Sequence, residues 1–156
     1  MQYTKQEIQQ MDRVKRLKLI NSVSGIKPAN LIGTSDIEGR TNLAIFSSVL
    51  HLGSDPALLG FIVRPTGEVS RHTYENIMQN GEYTLNHVHR SFMERAHYTS
   101  AKFEKEVSEF EACHLTEEFI KDFKAPFVKE SLLKIGMKFV EAVVRSSQRG
   151  AVWVSI

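Results

Sequence analysis

Residues 41–77 read TNLAIFSSVLHLGSDPALLGFIVRPTGEVSRHTYENI, and this stretch decides the fold. It holds two apolar runs typical of strands, residues 42–50 and 57–63, with the turn residues Gly-Ser-Asp-Pro between them. The second run stops at Arg64-Pro65-Thr66, and Ser70-Arg71-His72-Thr73 then opens a short helix. Hydroxyl groups, two arginines and a helix N-terminus at strand exits are the groups that bind a phosphorylated cofactor. The stretch therefore predicts a phosphate site near these strand ends.

The rest of the chain alternates between strand and helix patterns. Thr4 and Glu7 form a capping-box pattern, and the helical spacing that follows through Leu17 predicts one amphipathic N-terminal helix. Further strands are predicted at residues 29–34, 82–88, 132–144 and 151–156, and further helices around residues 72–79, 92–96 and 116–123. A sheet that is interrupted by helices and then resumes indicates a mainly β fold with α insertions, a small β-barrel.

Composition narrows the class of protein. The chain has 156 residues, 42% hydrophobic and 24% charged, which is typical of one soluble globular domain. The net charge of +2 is too small, and too evenly mixed with acidic residues, to predict nucleic-acid binding. We find no secretory signal and no apolar run of roughly 18 residues, so we expect a cytoplasmic protein without a membrane partner. The one cysteine fits a reducing compartment.

Motifs for side-chain catalysis and metal binding are weak. His87 and His89 share one side of a predicted strand, but no nearby carboxylate or cysteine completes a metal site, so we predict none. Cys113 has no setting that would stabilise a thiolate, and we expect it to be inert. Walker, Gly-x-Gly-x-x-Gly and Gly-x-Ser-x-Gly patterns are missing from the sequence. We therefore predict no catalytic side chain.

The order of the motifs resembles the flavin reductase-like family of FMN-binding split barrels, which includes flavoredoxin. The resemblance covers roughly residues 20–140 and lies in an ordered set of short motifs. In chain order these are Glu38-Gly39, Asn42-Leu43-Ala44-Ile45-Phe46-Ser47, Asp55-Pro56, Arg71-His72-Thr73, Asn76-Ile77, Gly81-Glu82-Tyr83, Asn86, Thr99 to Phe103, and Ser108 to Ala112.

The resemblance implies a split β-barrel of the FMN-binding type and assigns cofactor-binding residues. Phe46, Ser47 and Ser48 would line the flavin ring and ribityl chain, with Arg64 and Thr66 beside them. Arg71, His72 and Thr73 would hold the phosphate, and Ser100, Ala101, Lys102 and Phe103 would cover the flavin from a long loop. Three of these residues also have structural interpretations, which stay open: Arg64 is a surface arginine, Thr73 is a helix cap and Lys102 is a solvated lysine.

The function implied by the resemblance is that of an NAD(P)H-dependent flavin oxidoreductase. Electrons would pass from NADH or NADPH through FMN to a flavin or small-molecule acceptor, and the protein would be a homodimer. The alternatives are a flavin carrier or sensor without efficient turnover, or a relative that has lost the cofactor. We expect residues 1–156 to form one such domain, with a C-terminal part shorter than is usual in the family.

Overall fold

A computed structural model describes residues 2–63, 71–145 and 149–155. The strands of this part of the chain are β1 (Asn30–Ser35), β2 (Thr41–Phe46), β3 (Leu50–Ser54), β4 (Ala57–Phe61), β5 (Glu82–His87), β6 (Glu117–Glu118), β7 (Phe127–Val128), β8 (Lys134–Arg145) and β9 (Arg149–Ser155). The helices are α1 (Lys5–Gln10), α2 (Arg13–Ser22), α3 (His72–Asn80), α4 (Met93–Tyr98) and α5 (Glu109–Ala112), with a short 3-10 helix at Arg90–Phe92. None of these helices is long and apolar enough to cross a lipid bilayer.

Seven strands form one antiparallel sheet in the order β2-β1-β5-β8-β9-β4-β3, and β6 pairs with β7 separately. The two edge strands, β2 and β3, follow each other in the chain but do not pair in this sheet. Between them the Ser48 hydroxyl donates to the Ile62 carbonyl oxygen at 3.2 Å and accepts from the Ile62 N–H at 3.1 Å. The sheet therefore curls until the end of β2 meets the end of β4, and the barrel stays split along the β2–β3 seam.

The main core fills the inside of this curled sheet. Its buried side chains come from β1, β4, β5, β8 and α3 and from the residues just after β4, and they are Ile32, Phe61, Val63, Ile77, Tyr83, Leu85 and Met137. The ring of Phe61 packs between those of Phe46 and Tyr83, with centroid distances of 5.1 Å to Phe46 and 5.6 Å to Tyr83. Because β-strands alternate the direction of their side chains, the apolar residues of the sheet divide between this core and the opposite face.

A second apolar cluster covers the opposite face of β1 and β2. It comprises Leu31, Leu43, Phe92, Ala96, Phe110, Cys113, Leu115 and Val128, so α4, α5 and β7 pack on the outside of the barrel. Pro126 crosses the sheet closely, since the Thr84 hydroxyl donates to the Pro126 carbonyl oxygen at 2.6 Å. One residue of β1, Gly33, lies directly beneath this crossing. The two clusters fix β1 and β2 from both sides.

Two predicted helices are wrong in detail. The N-terminal pattern predicts one helix, but it is divided at Met11 because the Asp12 carboxylate accepts from the N–H groups of Val14 and Lys15 and so starts a new helix. Residues 116–123, predicted as a helix, instead contain β6 and turns. Tertiary contacts decide this segment, since Glu118 binds Lys134 and the backbone of β6 pairs with β7.

Candidate functional site

Helix α3 begins without a side-chain cap. Arg71 is the residue before its first turn, and in the described chain no side chain caps the first N–H groups of the helix. The Arg71 N–H donates to Glu75 Oε1 at 3.2 Å, which fixes the entry of the chain, and Gly81 ends the helix in the left-handed conformation. The first N–H groups of a helix have no partner within the helix, and the helix dipole favours an anion there. This end of α3 is therefore suited to a phosphate group.

Arg71 contributes a second indication of an anion site. Its Nε atom is buried and has no hydrogen-bond partner among the described residues. A buried donor without a partner is unfavourable by about 1–3 kcal/mol, more for a charged group. A phosphate at the start of α3 would satisfy it, so the chain's own residues fit the phosphate of a bound FMN.

A buried polar network ties the first turn of α3 to the sheet. The Asn42 amide donates to Thr73 Oγ1 at 3.1 Å and to Thr34 Oγ1 at 3.3 Å, and the Asn76 amide donates to Thr34 Oγ1 at 3.1 Å. All four side chains are buried. Satisfied networks of this kind hold their members in one arrangement. Thr73 therefore positions α3 on β1 and β2, and its oxygen already accepts one hydrogen bond inside the protein.

His72 lies half-buried at the edge of a small polar pocket beside this network. The pocket lies between the β1–β2 turn, the start of α3 and the loop before α5, and its lining is Asp36, Arg40, Thr41, Asn42, His72, Asn76, Lys105 and Val107. The Asp36 carboxylate accepts from Arg40 Nε at 2.7 Å and from the N–H groups of Glu38 and Arg40, so its charge is already compensated. The other basic residues of this lining, His72 and Lys105, make no ion pair within the described residues.

Glu109 is a buried carboxylate close to the same site. It is 7% exposed, and its Oε2 accepts from the N–H of Leu43 on the edge strand β2 at 2.9 Å. Burial raises the pKa of Glu109, while the hydrogen bond from Leu43 and the charge of nearby His72 act in the opposite direction. Glu109 thus links α5, the edge of β2 and the start of α3.

The raised pKa of Glu109 predicts a pH-dependent effect of Glu109→Gln. Because the folded protein holds this proton more tightly than the unfolded chain, ionisation of Glu109 destabilises the fold; the penalty is absent below the ordinary pKa of 4.5 and is complete above the folded-state pKa. Glutamine keeps an acceptor for Leu43 and carries no charge. The free energy of unfolding of the variant, relative to wild type, should therefore rise as the pH rises from 4.5.

Urea unfolding at several pH values measures this difference. Glu111→Gln is the matched control, because Glu111 lies on the same helix and is exposed. A Glu109→Gln difference that stays constant across the pH range, like that of the control, would contradict the assignment.

Phe46, Ser47 and Ser48 lie at the other end of β2. Phe46 is half-buried against the ring of Phe61, Ser47 is exposed, and the Ser48 hydroxyl is held by the backbone of Ile62. Phe46 lies four steps along the strand from Asn42, about 13 Å at the usual rise per residue. The predicted ring site and the predicted phosphate site therefore lie at opposite ends of one strand, as an elongated cofactor requires.

The other predicted binding residues are placed less directly. Arg64 and Thr66 lie outside the described residues. Ser100 donates to the His97 carbonyl oxygen at 2.7 Å, Ala101 and Lys102 are exposed, and Phe103 packs on the second apolar cluster. Within the described chain, this loop reaches the pocket through Lys105 and Val107.

Three residues of the site, Asn42, Asn76 and Glu109, are not predicted as site residues from the sequence. Asn42 and Asn76 both stand in the motifs quoted above, but the pattern gave them no role, although their amides build the network under α3. Glu109 also stands in a quoted motif, yet its burial depends on α5 packing against β2. An asparagine or glutamate amid apolar strand and helix residues is the available signal, because a buried polar side chain needs a partner.

His89 and Cys113, residue types that can bind a metal or act as a nucleophile, have structural roles. The His89 ring accepts from the Ser91 N–H at 3.3 Å and so caps the short 3-10 helix. Cys113 is buried in the second apolar cluster, and burial, with a smaller contribution from Glu109, raises the pKa of its thiol. Neither property is that of a reactive group.

Comparison with known proteins identifies the same architecture. A crystal structure of a candidate flavin reductase with a split barrel domain from Shewanella frigidimarina NCIMB 400 superposes with a TM-score of 0.94 and 51% identity, over 100% of this chain and 77% of that one. An FMN-binding protein from Thermus thermophilus, solved with bound 1-cyclohex-2-enone, matches with a TM-score of 0.70 and 14% identity over 83% of this chain and 67% of that one, which shows the fold alone.

Curated relatives are more distant in sequence. An uncharacterised protein of Aquifex aeolicus is 28% identical over 81% of this chain, and the match spans 65% of that protein. The chain likewise spans 65% of a second curated relative, from Bacillus subtilis. The model of the "Flavin reductase like domain" family matches residues 25–153. The chain therefore belongs to the flavin reductase-like family and has its split-barrel fold.

Proposed function

We propose that this protein binds FMN and acts as an NAD(P)H-dependent flavin oxidoreductase. The observation that carries the proposal is the start of α3, where, among the described residues, the helix has no side-chain cap and the buried Nε of Arg71 has no partner. Membership of the flavin reductase-like family supports a flavin as the ligand. When bound, FMN supplies the redox chemistry, taking a hydride from NADH or NADPH and passing two electrons to a flavin or small-molecule acceptor.

The residues of the chain bind and orient the cofactor. Arg71 and the first N–H groups of α3 would hold the phosphate, with His72 beside it. The network of Thr34, Asn42, Thr73 and Asn76 keeps this end of α3 in place before the ligand arrives. At the other end of β2, Phe46 supplies an apolar wall and Ser47 and Ser48 supply polar groups. No protein side chain needs to form a covalent bond.

We propose further that the protein is a homodimer. Apolar side chains are exposed on the outside of the barrel, among them Leu52 on β3, Ile62 after β4, and Val140 on β8. Exposed apolar side chains of this kind favour a protein contact. The family resemblance supports the same state.

Steady-state oxidation of NADH and NADPH by the purified protein tests the enzymatic function. Addition of FMN should stimulate oxidation well above the rate with free FMN alone, and an added quinone or ferric acceptor should increase it further. Binding of FMN without stimulated oxidation would identify a flavin carrier. Failure to bind FMN would overturn the proposal.

A further inference from the structure

Residues 2–27 form an arm that has no broad packing on the described part of the barrel. We call residues 2–27 the N-terminal arm; it contains α1 and α2. Neither helix contains a buried residue, and neither packs broadly on another element of the described chain. Val14, Leu17 and Ile20, spaced three apart along one side of α2, are 57%, 53% and 51% exposed. The arm thus presents an apolar face without a partner.

The arm nevertheless has the local signals of a folded element. Thr4 and Glu7 form a complete capping box on α1, and Asp12 caps α2. Arg16 Nη1 donates to the Gln9 carbonyl oxygen at 2.9 Å and fixes the corner between the helices. Helices of six and ten residues are marginal in water by themselves, since isolated helices need about 12–15 residues or a packing surface. The helices would therefore gain stability from a packing surface beyond the one that the described barrel provides.

Two segments of the chain carry opposite net charges. The arm carries six basic and two acidic residues, a net charge of +4. Residues 104–122, which we call the acidic segment, carry seven acidic and two basic residues, a net charge of −5. The acidic segment also exposes apolar side chains, Val107, Phe119 and Ile120. The two segments are complementary in both charge and apolar character.

The arm and the acidic segment meet the barrel at opposite ends of β1. The arm joins the barrel at Asn30, the first residue of β1. The acidic segment contacts Thr41 through Ser108 and Glu117, and Thr41 pairs with Ser35 at the last residue of β1. These ends of β1 are about 16 Å apart at the usual rise per residue. Within the described chain, α1 and α2 make no broad contact with α5 or β6, the two elements of the acidic segment.

We propose that the N-terminal arm of one protomer packs on the acidic segment of a second copy of this chain. The apolar face of α2 would cover Phe119 and Ile120, while Arg13, Lys15 and Lys18 would face the carboxylates around them. This inference rests on the proposed homodimer and adds an exchange of arms to it. Because the acidic segment borders the pocket at His72, each arm would reach the edge of its partner's site.

Cross-linking between two differently tagged chains tests the location of the contact. One chain carries L17C and the other I120C, both with C113A so that no native thiol remains. A short bis-maleimide should join the two chains. The matched control replaces I120C with M78C, a half-exposed position on α3 outside the acidic segment, and should give little product. Equal cross-linking in both mixtures, or none with I120C, would overturn the proposal.

Charge reversal tests the chemistry of the contact. K15E/K18E on the arm, or E111K/D122K on the acidic segment, should each raise the dissociation constant of the dimer about tenfold in sedimentation experiments. Glu111 and Asp122 are exposed and make no ion pair within the described residues, so the barrel itself should be unaffected. The combined variant, with all four charges reversed, should recover much of the wild-type affinity.

The remaining outcomes separate this inference from the proposed function. A wild-type protein that binds FMN but stays monomeric overturns the arm exchange and leaves the flavin function standing. Variants whose dimer affinity equals that of wild type, while K15E/K18E alone loses binding to vesicles of anionic lipid, would assign the arm to a membrane surface and also overturn the proposal.

Discussion

Replacement of Arg71 by alanine is expected to weaken FMN binding about 10- to 150-fold, which corresponds to about 1.5–3 kcal/mol. Within the part of the chain that the structure describes, the buried Nε of Arg71 has no partner and the start of α3 has no side-chain cap, so a phosphate there would gain a charge-assisted hydrogen bond. The substitution should lower the affinity for FMN through the phosphate alone, because the proposed ring end of the site lies at the far end of β2. Isothermal titration with FMN measures it directly.

Two further comparisons make this prediction specific. Riboflavin, which lacks the phosphate, should bind wild type and Arg71→Ala with similar affinity. Arg90→Ala removes an exposed arginine before α4 and should leave FMN binding unchanged. An Arg71→Ala affinity for FMN equal to that of wild type would remove Arg71 from the phosphate site.

Gly33→Ala is expected to destabilise the folded protein by about 3 kcal/mol or more. A Cβ at residue 33 would lie closer than 3.0 Å to the Pro126 carbonyl oxygen and to the Thr84 hydroxyl oxygen. Both atoms are held, since Thr84 donates to Pro126 across the face of the sheet. The segment around Pro126 would have to move away from β1. Displacing a backbone carbonyl or a buried hydroxyl in this way lowers the free energy of unfolding.

Thermal or urea unfolding measures this loss. Gly53→Ala is the control, because a Cβ there meets its nearest atom, the Pro56 carbonyl oxygen, at 3.2 Å in a surface hairpin. Its effect should be much smaller. Wild-type stability in Gly33→Ala would show that the segment around Pro126 does not cross β1 as described.

Much of the fold can be predicted from the sequence where local signals act alone. The capping box at Thr4 and the left-handed Gly81 after α3 are confirmed, because each depends on a few neighbouring residues. The strands near residues 29–34, 82–88 and 132–144 are confirmed within two residues or so at their ends. The segment 116–123 is one place where the prediction is wrong, since its helical spacing is overridden by pairing with β7 and by the Lys134 ion pair. The strand predicted over residues 42–50 is another, since β2 ends at Phe46 and β3 begins at Leu50.

Only part of the candidate site can be predicted from the sequence, because some of its residues are far apart in the chain and meet only in the fold. Arg71, His72 and Thr73 are adjacent in sequence, so a motif can show them together, and the structure places all three at the start of α3. Asn42 and Asn76 are 34 positions apart, and they meet only because α3 packs on the start of β2 and the end of β1. Glu109 joins them through the fold of α5 against the edge of β2.

Titration of the purified protein with FMN, followed by the change in flavin fluorescence and absorbance, tests the central claim most directly. The account predicts saturable binding of one FMN per chain, and weaker binding when the phosphate is removed from the ligand or Arg71 from the protein. A protein that leaves the flavin spectrum unchanged at every concentration would contradict it.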